Sequence, residues 1–450
     1  MERLKDDQIV PLCLKHNFWT WSSQAQVNPI PADHAEGVYF WDVSGKRYLD
    51  FNSMTMCCNI GHGNKHVIKA IQNQLEKLTY AGPQMATRPR ALLGKMLAEI
   101  CPAGLTKYLY TMGGAEANEN AVKLARSFTG KHKIITNYRS YHGATHGAIA
   151  LTGDPRRVAW EPLVMGGVVH MLNAFKYRSA FHRNRREISE IEFSQDYLNY
   201  LEDLIAFEGE HTIAALLIEP VVGTNGIILP PQGYLQGVSE ICKRNQILFI
   251  ADEVMTGFGR TGTWFAVNHW DVVPDMITMA KGLTSGYAPL GAVAMREEIA
   301  EYFNERIYQG GLTYNGHPLS LAAAIANIEV IKDDHIVERT RDMDPIFSKM
   351  LFELKEAHPS VGEVRSIGLF GGVELIRNQN THEPLTPFNS QNREMNQIKQ
   401  FTRSHGLYHY THDNVILIIP PLIITTDQLA EGFAVLSDAL EISDAVVNKE

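Results

Sequence analysis

Two apolar runs of this chain end in an aspartate and a lysine, and a glycine-rich turn lies between the runs. Residues 248–251 lead into Asp252, and residues 276–280 lead into Lys281. A charged side chain at the end of a buried strand is costly unless an opposite charge or a hydrogen-bond partner meets it. Desolvation also lowers the pKa of a lysine, which makes its amine more nucleophilic. The two runs therefore predict two strand ends that share one ligand.

Pyridoxal 5′-phosphate is a ligand that satisfies both residues. Its ring nitrogen is protonated beside a carboxylate, and its aldehyde condenses with a lysine amine. We therefore interpret Asp252 as the partner of the ring nitrogen and Lys281 as the catalytic lysine that holds the cofactor.

Three motifs at this centre resemble a known family. They are Asp-Glu-Val at 252–254, Thr-Gly-Phe-Gly-Arg-Thr-Gly at 256–262 and Ala-Lys-Gly at 280–282. Their order and letters are similar to those of the class III (subgroup II) pyridoxal-phosphate-dependent aminotransferases. The resemblance extends over nearly the whole chain.

The predicted fold class is α/β. Apolar strand-like runs alternate with helical patterns from residue 108 to about 294, which favours a mostly parallel sheet covered by helices. The resemblance implies fold type I of the pyridoxal-phosphate-dependent transferases, with a mostly parallel seven-stranded sheet in a large domain. It also implies a smaller α+β domain built from the N- and C-terminal segments. We expect the divisions at 1–58, 59–320 and 321–450.

Composition excludes several classes of partner. The chain has 450 residues and a formal net charge of −9, so nucleic acid and anionic membranes are unfavourable partners. The N-terminal residues lack the apolar core of a signal peptide, and the late apolar run contains Pro420 and Pro421. The five cysteines lack metal-ligand spacing. We therefore expect a cytoplasmic protein with no metal, nucleic acid or membrane partner.

A glycine pair opens a predicted helix. Gly113 and Gly114 follow a strand-like run, and a helix N-terminus with glycine amides suits a phosphate. Such a pair is also common as a plain tight turn, and the pattern alone leaves that alternative open. The resemblance implies phosphate contacts at Gly114 and Ala115 through backbone amides, since Ala115 lacks the hydroxyl that relatives have there.

The resemblance implies further cofactor contacts. Tyr141 and His142 correspond to the segment whose aromatic residue stacks on the pyridine ring. Val254 lies two residues beyond Asp252, so on a strand it would face the same way and cover the other side of the ring. Both Tyr141 and Val254 also fit a plain core role. Glu219 ends a buried strand and needs a partner. Thr313 resembles the residue that reaches a neighbouring subunit's phosphate, which implies a homodimer with shared active sites and leaves a tetramer open.

Arginines that bind substrate anions in relatives are replaced in this chain. The three positions are Ala144, Tyr410 and Leu417. Arg156 is the remaining basic candidate, because carboxylates and sulfonates are bound by forked donors. The alternative is a surface turn in which Arg156 and Arg157 are solvated.

The expected reaction is transamination. Trp21 resembles the aromatic wall of the substrate pocket in ω-amino acid aminotransferases. With Arg156, it suits a short amine that ends in a compact anion, as in the taurine-specific members. We expect taurine, β-alanine or hypotaurine as the amino donor, and 2-oxoglutarate rather than pyruvate as the acceptor. The alternatives are a 4-aminobutyrate or amine:pyruvate aminotransferase, an isomerase or racemase of the same family, and a cofactor-binding module without catalysis.

Overall fold

The computed structural model describes residues 4–161, 163–182, 188–390 and 392–447. The strands, in chain order, are β1 (Ala32–Glu36), β2 (Tyr39–Asp42), β3 (Arg47–Asp50), β4 (Leu105–Thr111), β5 (Lys133–Asn137), β6 (Val168–Met171), β7 (Ile213–Ile218), β8 (Leu248–Asp252), β9 (Met276–Met279), β10 (Gly291–Arg296), β11 (Val361–Ile367), β12 (Phe370–Leu375), β13 (Leu407–Tyr408), β14 (Tyr410–His412) and β15 (Val415–Ile418).

The helices, in chain order, are α1 (Asp6–His16), α2 (Ser53–Met56), α3 (Lys65–Lys77), α4 (Arg88–Ile100), α5 (Gly114–Thr129), α6 (His146–Leu151), α7 (Glu190–Glu208), α8 (Tyr234–Arg244), α9 (Glu297–Glu301), α10 (Pro318–Asp333), α11 (Ile336–Ala357), α12 (Arg393–Ser404) and α13 (Thr426–Asp444). None of these described helices is long and apolar enough to cross a membrane.

The largest sheet has seven strands in the order β4-β10-β9-β8-β7-β5-β6. β10 runs antiparallel to both of its neighbours, and the strands from β9 to β6 pair in parallel. Every residue of β7 and β8 is buried, as expected for central parallel strands covered on both faces. The prediction of an α/β fold with a mostly parallel seven-stranded sheet is confirmed.

Two smaller sheets lie in the N- and C-terminal segments. One has the order β1-β2-β3-β13 and the other β11-β12-β15-β14. β13 pairs in parallel with β3, so a strand from the end of the chain completes a sheet begun near its start. This pairing supports the division that we propose at 1–58, 59–320 and 321–450.

A left-handed turn follows β3. All four residues of α2 have positive φ angles, from 43 to 68°. Left-handed backbone costs L-residues roughly 1–2 kcal/mol each, so the turn needs external support. Asp50 supplies part of it, because its carboxylate accepts hydrogen bonds from the amides of Asn52 at 3.0 Å and Met54 at 2.9 Å.

Arg260 is fully buried and connects this turn to the C-terminal segment. Its Nη1 donates to the carbonyls of Leu369 at 2.9 Å and Pro420 at 2.6 Å. Its Nη2 donates to Ser53 Oγ and Asn59 Oδ1, each at 3.1 Å. Burial lowers the pKa of this guanidinium to about 9, which leaves it charged at neutral pH. The arginine of the Thr-Gly-Phe-Gly-Arg-Thr-Gly motif therefore joins the segments rather than facing solvent.

Replacement of this arginine should destabilise the whole fold. We expect Arg260→Met to lower the free energy of unfolding by about 3 kcal/mol or more, because four buried hydrogen bonds are lost. Urea unfolding followed by circular dichroism measures the change. Arg306→Met removes an exposed arginine and should change stability by less than about 0.5 kcal/mol. Equal stability of the two variants would contradict the connecting role of Arg260.

Candidate active site

A cavity of about 630 Å³ opens where β8 and β9 end and α5 begins. Ligand sites in open α/β sheets form at this edge, beyond the carboxyl ends of the strands. The predicted site residues that line the cavity are Gly114, Ala115, Tyr141, His142, Asp252, Val254 and Lys281. Residues that are distant in sequence therefore meet as the sequence predicted.

Asp252 is 3% exposed and is held by donors from two other elements. Its Oδ2 accepts a hydrogen bond from Asn118 Nδ2 at 2.8 Å and lies 2.7 Å from His142 Nδ1. Its Oδ1 accepts from the amide of Val254 at 3.0 Å. A carboxylate can only accept, so we assign the proton of this contact to His142 Nδ1. These donors stabilise a buried negative charge that faces the cavity.

Sequence reasoning missed Asn118. Its Oδ1 accepts from Thr278 Oγ1 at 2.7 Å, which fixes the orientation of the amide toward Asp252. Its Nδ2 also donates to the carbonyl of His142 at 2.8 Å. The signal was present, because Asn118 is a polar residue one position after Ala117 on a helix whose buried face is otherwise mainly small and apolar.

The first turn of α5 forms an anion cradle. The backbone amides of Gly114 and Ala115 have no protein acceptor in the part of the chain that the structure describes. A Cβ at position 114 would lie 2.9 Å from both Cγ atoms of Val254, so only glycine allows this close approach. Gly143, at φ 132°, packs against Ala115 in the same way. Unpaired amides at a helix N-terminus fit a phosphate group.

Lys281 follows β9 and lines the same cavity as Asp252. Its backbone has a φ of 43°, an uncommon conformation for a residue with a side chain. Such conformations concentrate at functional sites. Its Nζ makes no hydrogen bond or ion pair within the described ranges, so the amine is available to a ligand.

Glu219 supports the cavity from behind and does not line it. Its two carboxyl oxygens accept from the amides of Tyr141 at 3.0 Å and Gly223 at 2.7 Å. Burial raises the pKa of Glu219 to about 7, Asp252 adds to this rise, and His142 and the two amides oppose it. Glu219 therefore orients the backbone of Tyr141, whose ring lines the cavity.

Arg156 lies against this tyrosine. Its guanidinium carbon is 4.0 Å from the centre of the Tyr141 ring, and its side chain is 27% exposed. The neighbouring Arg157 faces elsewhere, pairing with Glu161 and lying over the ring of Tyr138. Arg156 is thus packed on a cavity residue, unlike the solvated arginine of the alternative interpretation.

The positions of the three missing arginines differ in the structure. Ala144 lines the cavity, and Leu417 is fully buried in β15. Tyr410 is the register partner of Leu417 and interacts electrostatically with both Arg156 and Tyr141. The two C-terminal positions therefore pair across β14 and β15, and Ala144 is the one of the three that lines the cavity.

Four predicted residues do not line the cavity of the single chain, namely Glu219, Arg156, Trp21 and Thr313. Trp21 is 69% exposed. Thr313 is exposed, and its carbonyl accepts from the hydroxyl of Tyr80 at 2.7 Å. Sequence reasoning placed Trp21 in the wall of the substrate pocket and Thr313 at a contact with the neighbouring subunit.

The site fits pyridoxal 5′-phosphate. The helix N-terminus suits the phosphate, the buried carboxylate suits the protonated ring nitrogen, and the unpaired lysine suits the aldehyde. A cradle, an acid and a lysine at this edge of such a sheet define a pyridoxal-phosphate-dependent transferase of fold type I.

Comparison with known proteins identifies the family. Residues 21–440 match the model of the class-III aminotransferases. Putrescine–pyruvate aminotransferase of Pseudomonas aeruginosa is 33% identical over 427 residues, which are 92% of this chain and 91% of the relative. Gamma-aminobutyrate transaminase 1 of Oryza sativa subsp. japonica is 33% identical over 438 residues, which are 94% of this chain and 83% of the relative.

Solved structures agree with this family. A taurine:2-oxoglutarate aminotransferase from Bifidobacterium kashiwanohense, in complex with PLP and glutamate, is 38% identical, with a TM-score of 0.95 and full coverage of both chains. An (S)-enantioselective omega-transaminase from Thermomicrobium roseum is 34% identical, with a TM-score of 0.90 and coverage of 98% and 100%. The chain belongs to the class-III aminotransferase family, so it is a pyridoxal-phosphate-dependent enzyme that catalyses transamination.

Glu253, beside Asp252, is fully buried and binds the segments around the glycine-rich motif. Its carboxylate accepts from the Thr256 hydroxyl and from the amides of Ala266 and Val267, each of these two at 2.9 Å. Burial nevertheless raises its pKa from 4.5 to about 7. The folded state therefore binds this proton more tightly than the unfolded state does.

The raised pKa predicts a pH-dependent stability difference. The favourable contribution of protonated Glu253 is complete below pH 4.5 and is lost as the pH rises through about 7. Relative to Glu253→Gln, the wild type should lose up to about 3 kcal/mol of unfolding free energy over this range. Urea unfolding at several pH values measures this. Glu353→Gln, at an exposed position, is the control. If the difference in unfolding free energy between the wild type and Glu253→Gln stays constant with pH, the raised pKa of Glu253 is refuted.

Proposed function

We propose that this enzyme transfers the amino group of taurine, or of a similar short ω-amino acid such as β-alanine or hypotaurine, to a 2-oxo acid. We favour 2-oxoglutarate over pyruvate as the acceptor. The observation that carries the proposal is the packing of Arg156 on Tyr141, a residue of the cavity wall. The similarity to a taurine:2-oxoglutarate aminotransferase across the whole chain supports the same choice.

The residues divide the chemistry between them. Bound pyridoxal phosphate supplies an electron-withdrawing ring and carries the amino group between the two substrates. Asp252, held by Asn118 and His142, keeps a negative charge opposite the ring nitrogen. The Lys281 amine removes the proton from the amine-bearing carbon of the donor and returns a proton to the oxo acid's carbon in the second half-reaction. The amides of Gly114 and Ala115 would bind the phosphate of the cofactor.

Tyr141, Val254 and Glu219 complete the proposed cofactor site. Both Tyr141 and Val254 line the cavity and would hold the pyridine ring there, Tyr141 through aromatic stacking and Val254 through apolar contact. Glu219 contributes indirectly, because its carboxylate accepts from the backbone amide of Tyr141 at 3.0 Å and orients that residue. His142 also contributes indirectly, because its Nδ1 lies 2.7 Å from Asp252 Oδ2 and holds that carboxylate.

In the proposed site, Arg156 binds the anion of the substrate, and Trp21 forms a further wall of the substrate pocket. A guanidinium binds a sulfonate or carboxylate through parallel donors, and the contact is stronger where water is excluded. An uncharged amine lacks this contact. The proposed preference for taurine-like donors therefore depends on a single cation near Tyr141.

A donor panel tests this assignment. We expect the wild type to use taurine and β-alanine with 2-oxoglutarate more efficiently than propylamine, which lacks the anion. Loss of one partner of a desolvated charged pair costs roughly 2 to 5 kcal/mol. Arg156→Ala should therefore lower kcat/KM for taurine by about 1.5 to 3.5 powers of ten and that for propylamine by less than about threefold.

The neighbouring arginine provides the control. Arg157→Ala removes a guanidinium that pairs with Glu161 and should leave both donors unchanged. Parallel assays with pyruvate measure the acceptor preference. A wild type that prefers propylamine, or an Arg156→Ala variant with full taurine turnover, would refute the proposed donor.

We also propose a cytoplasmic homodimer in which Thr313 contacts the phosphate bound by the other subunit. Support comes from its exposed side chain and from the fixed loop around it, because Tyr80 binds its carbonyl and Arg90 Nη2 donates to Asn315 Oδ1 at 3.1 Å. A residue held at a surface in this way suits a contact across an interface.

Mixed dimers test the shared site. Thr313→Ala should weaken cofactor affinity about tenfold, as expected for one hydrogen bond to a charged group. Refolding this variant with Lys281→Ala chains should create sites in which both residues are intact and affinity is restored. Unmixed Thr313→Ala dimers are the control. Mixed dimers that bind the cofactor no better than this control would rule out the contact.

A further inference from the structure

We propose that Asp154 is a positioning residue that fixes Arg156 over Tyr141, so that the free edge of the guanidinium forms a rigid anion site. The inference rests on the proposed function and extends it. It explains how one arginine can select charged donors at a site where relatives place arginines at other positions.

Asp154 is fully buried and begins a short turn that contains Arg156. Its Oδ1 accepts from the Arg156 backbone amide at 2.9 Å. Both carboxyl oxygens accept from Arg156 Nε, at 3.0 and 2.9 Å, and Oδ2 also accepts from Nη2. Asn225 Nδ2 approaches Oδ2 at 3.4 Å. One buried carboxylate therefore holds both the backbone and the side chain of the arginine.

These contacts hold the Arg156 side chain in one position. A buried carboxylate without its cation is strongly unfavourable, so departure of the guanidinium would leave Asp154 uncompensated. Burial alone would lower the pKa of Arg156, but its hydrogen bonds to Asp154 and the charge of Asp154 raise it above the usual value. The arginine is thus a fixed, permanent charge.

The remaining edge of Arg156 is free for a substrate. Asp154 occupies Nε and Nη2, whereas Nη1 has no acceptor among the residues that the structure describes. The guanidinium plane packs on Tyr141 at 4.0 Å, and this ring lines the cavity. In the proposed site, the anion of the substrate meets this free edge.

The charge of the substrate decides whether this edge is satisfied. A sulfonate or carboxylate has enough acceptor oxygens to meet the free edge of the guanidinium. An uncharged amine would instead leave the arginine edge unpaired, and this explains the selection against it.

The test measures the effect of Asp154 on charged and uncharged donors. Asp154→Ala should raise KM for taurine about tenfold or more, with kcat within about threefold, and leave propylamine nearly unchanged. Asp154→Asn, which keeps an acceptor oxygen, should show a smaller rise and guards against loss of folding. Asp154→Ala combined with Arg156→Ala should be no worse for taurine than Arg156→Ala alone. Glu161→Ala is the matched control, because it removes the carboxylate of Arg157.

Four results would overturn the positioning role. Equal losses for taurine and propylamine in both Asp154 variants would mean that Asp154 only stabilises the fold. Additive losses in the double variant would mean that it acts independently of Arg156. Full taurine turnover in the Asp154 variants, with a large loss in Arg156→Ala, would refute the positioning role and keep the proposed function. Full turnover in Arg156→Ala would refute both.

Discussion

The buried charge of Asp252 is the constraint on which the rest of the active site depends. A carboxylate at 3% exposure needs donors, and Asn118 and His142 supply them at 2.8 and 2.7 Å. Those donors come from α5 and from the segment after β5, so these elements must converge on the end of β8. The same convergence brings the helix N-terminus, the Tyr141 ring and Lys281 around one cavity. A charge that is costly for the fold thus organises the cofactor site.

The substrate side of the cavity also depends on a balanced charge, and there the charge is positive. Arg156 lies over Tyr141, and a fully buried Asp154 balances it. The cofactor side thus has an acid with hydrogen-bond donors, and the substrate side has a cation with its own acid. This arrangement leaves one guanidinium edge for a substrate anion, which makes substrate charge the feature that the proposed site selects.

Sequence predicted the fold and the centre of the site because both depend on local patterns. Apolar runs that end in Asp252 and Lys281 indicate strand ends, and the motifs around them are specific. Asn118 was missed because its partners lie in other elements. Asp154 was missed because its partner Arg156 lies in a short turn that apolar periodicity does not reveal. Trp21 shows a second limit of prediction from sequence. A resemblance can assign this residue to a pocket, but it does not give the geometry that would bring it there, and Trp21 is 69% exposed in the single chain.

The most direct test of the account is a half-reaction without an acceptor. The purified enzyme should show a visible absorption band from its bound cofactor, and taurine alone should bleach this band in one turnover. Addition of 2-oxoglutarate should then restore the band and produce one equivalent of glutamate per site, whereas Lys281→Ala should show none of these changes. A band that taurine leaves unchanged, while an uncharged amine bleaches it, would contradict the account.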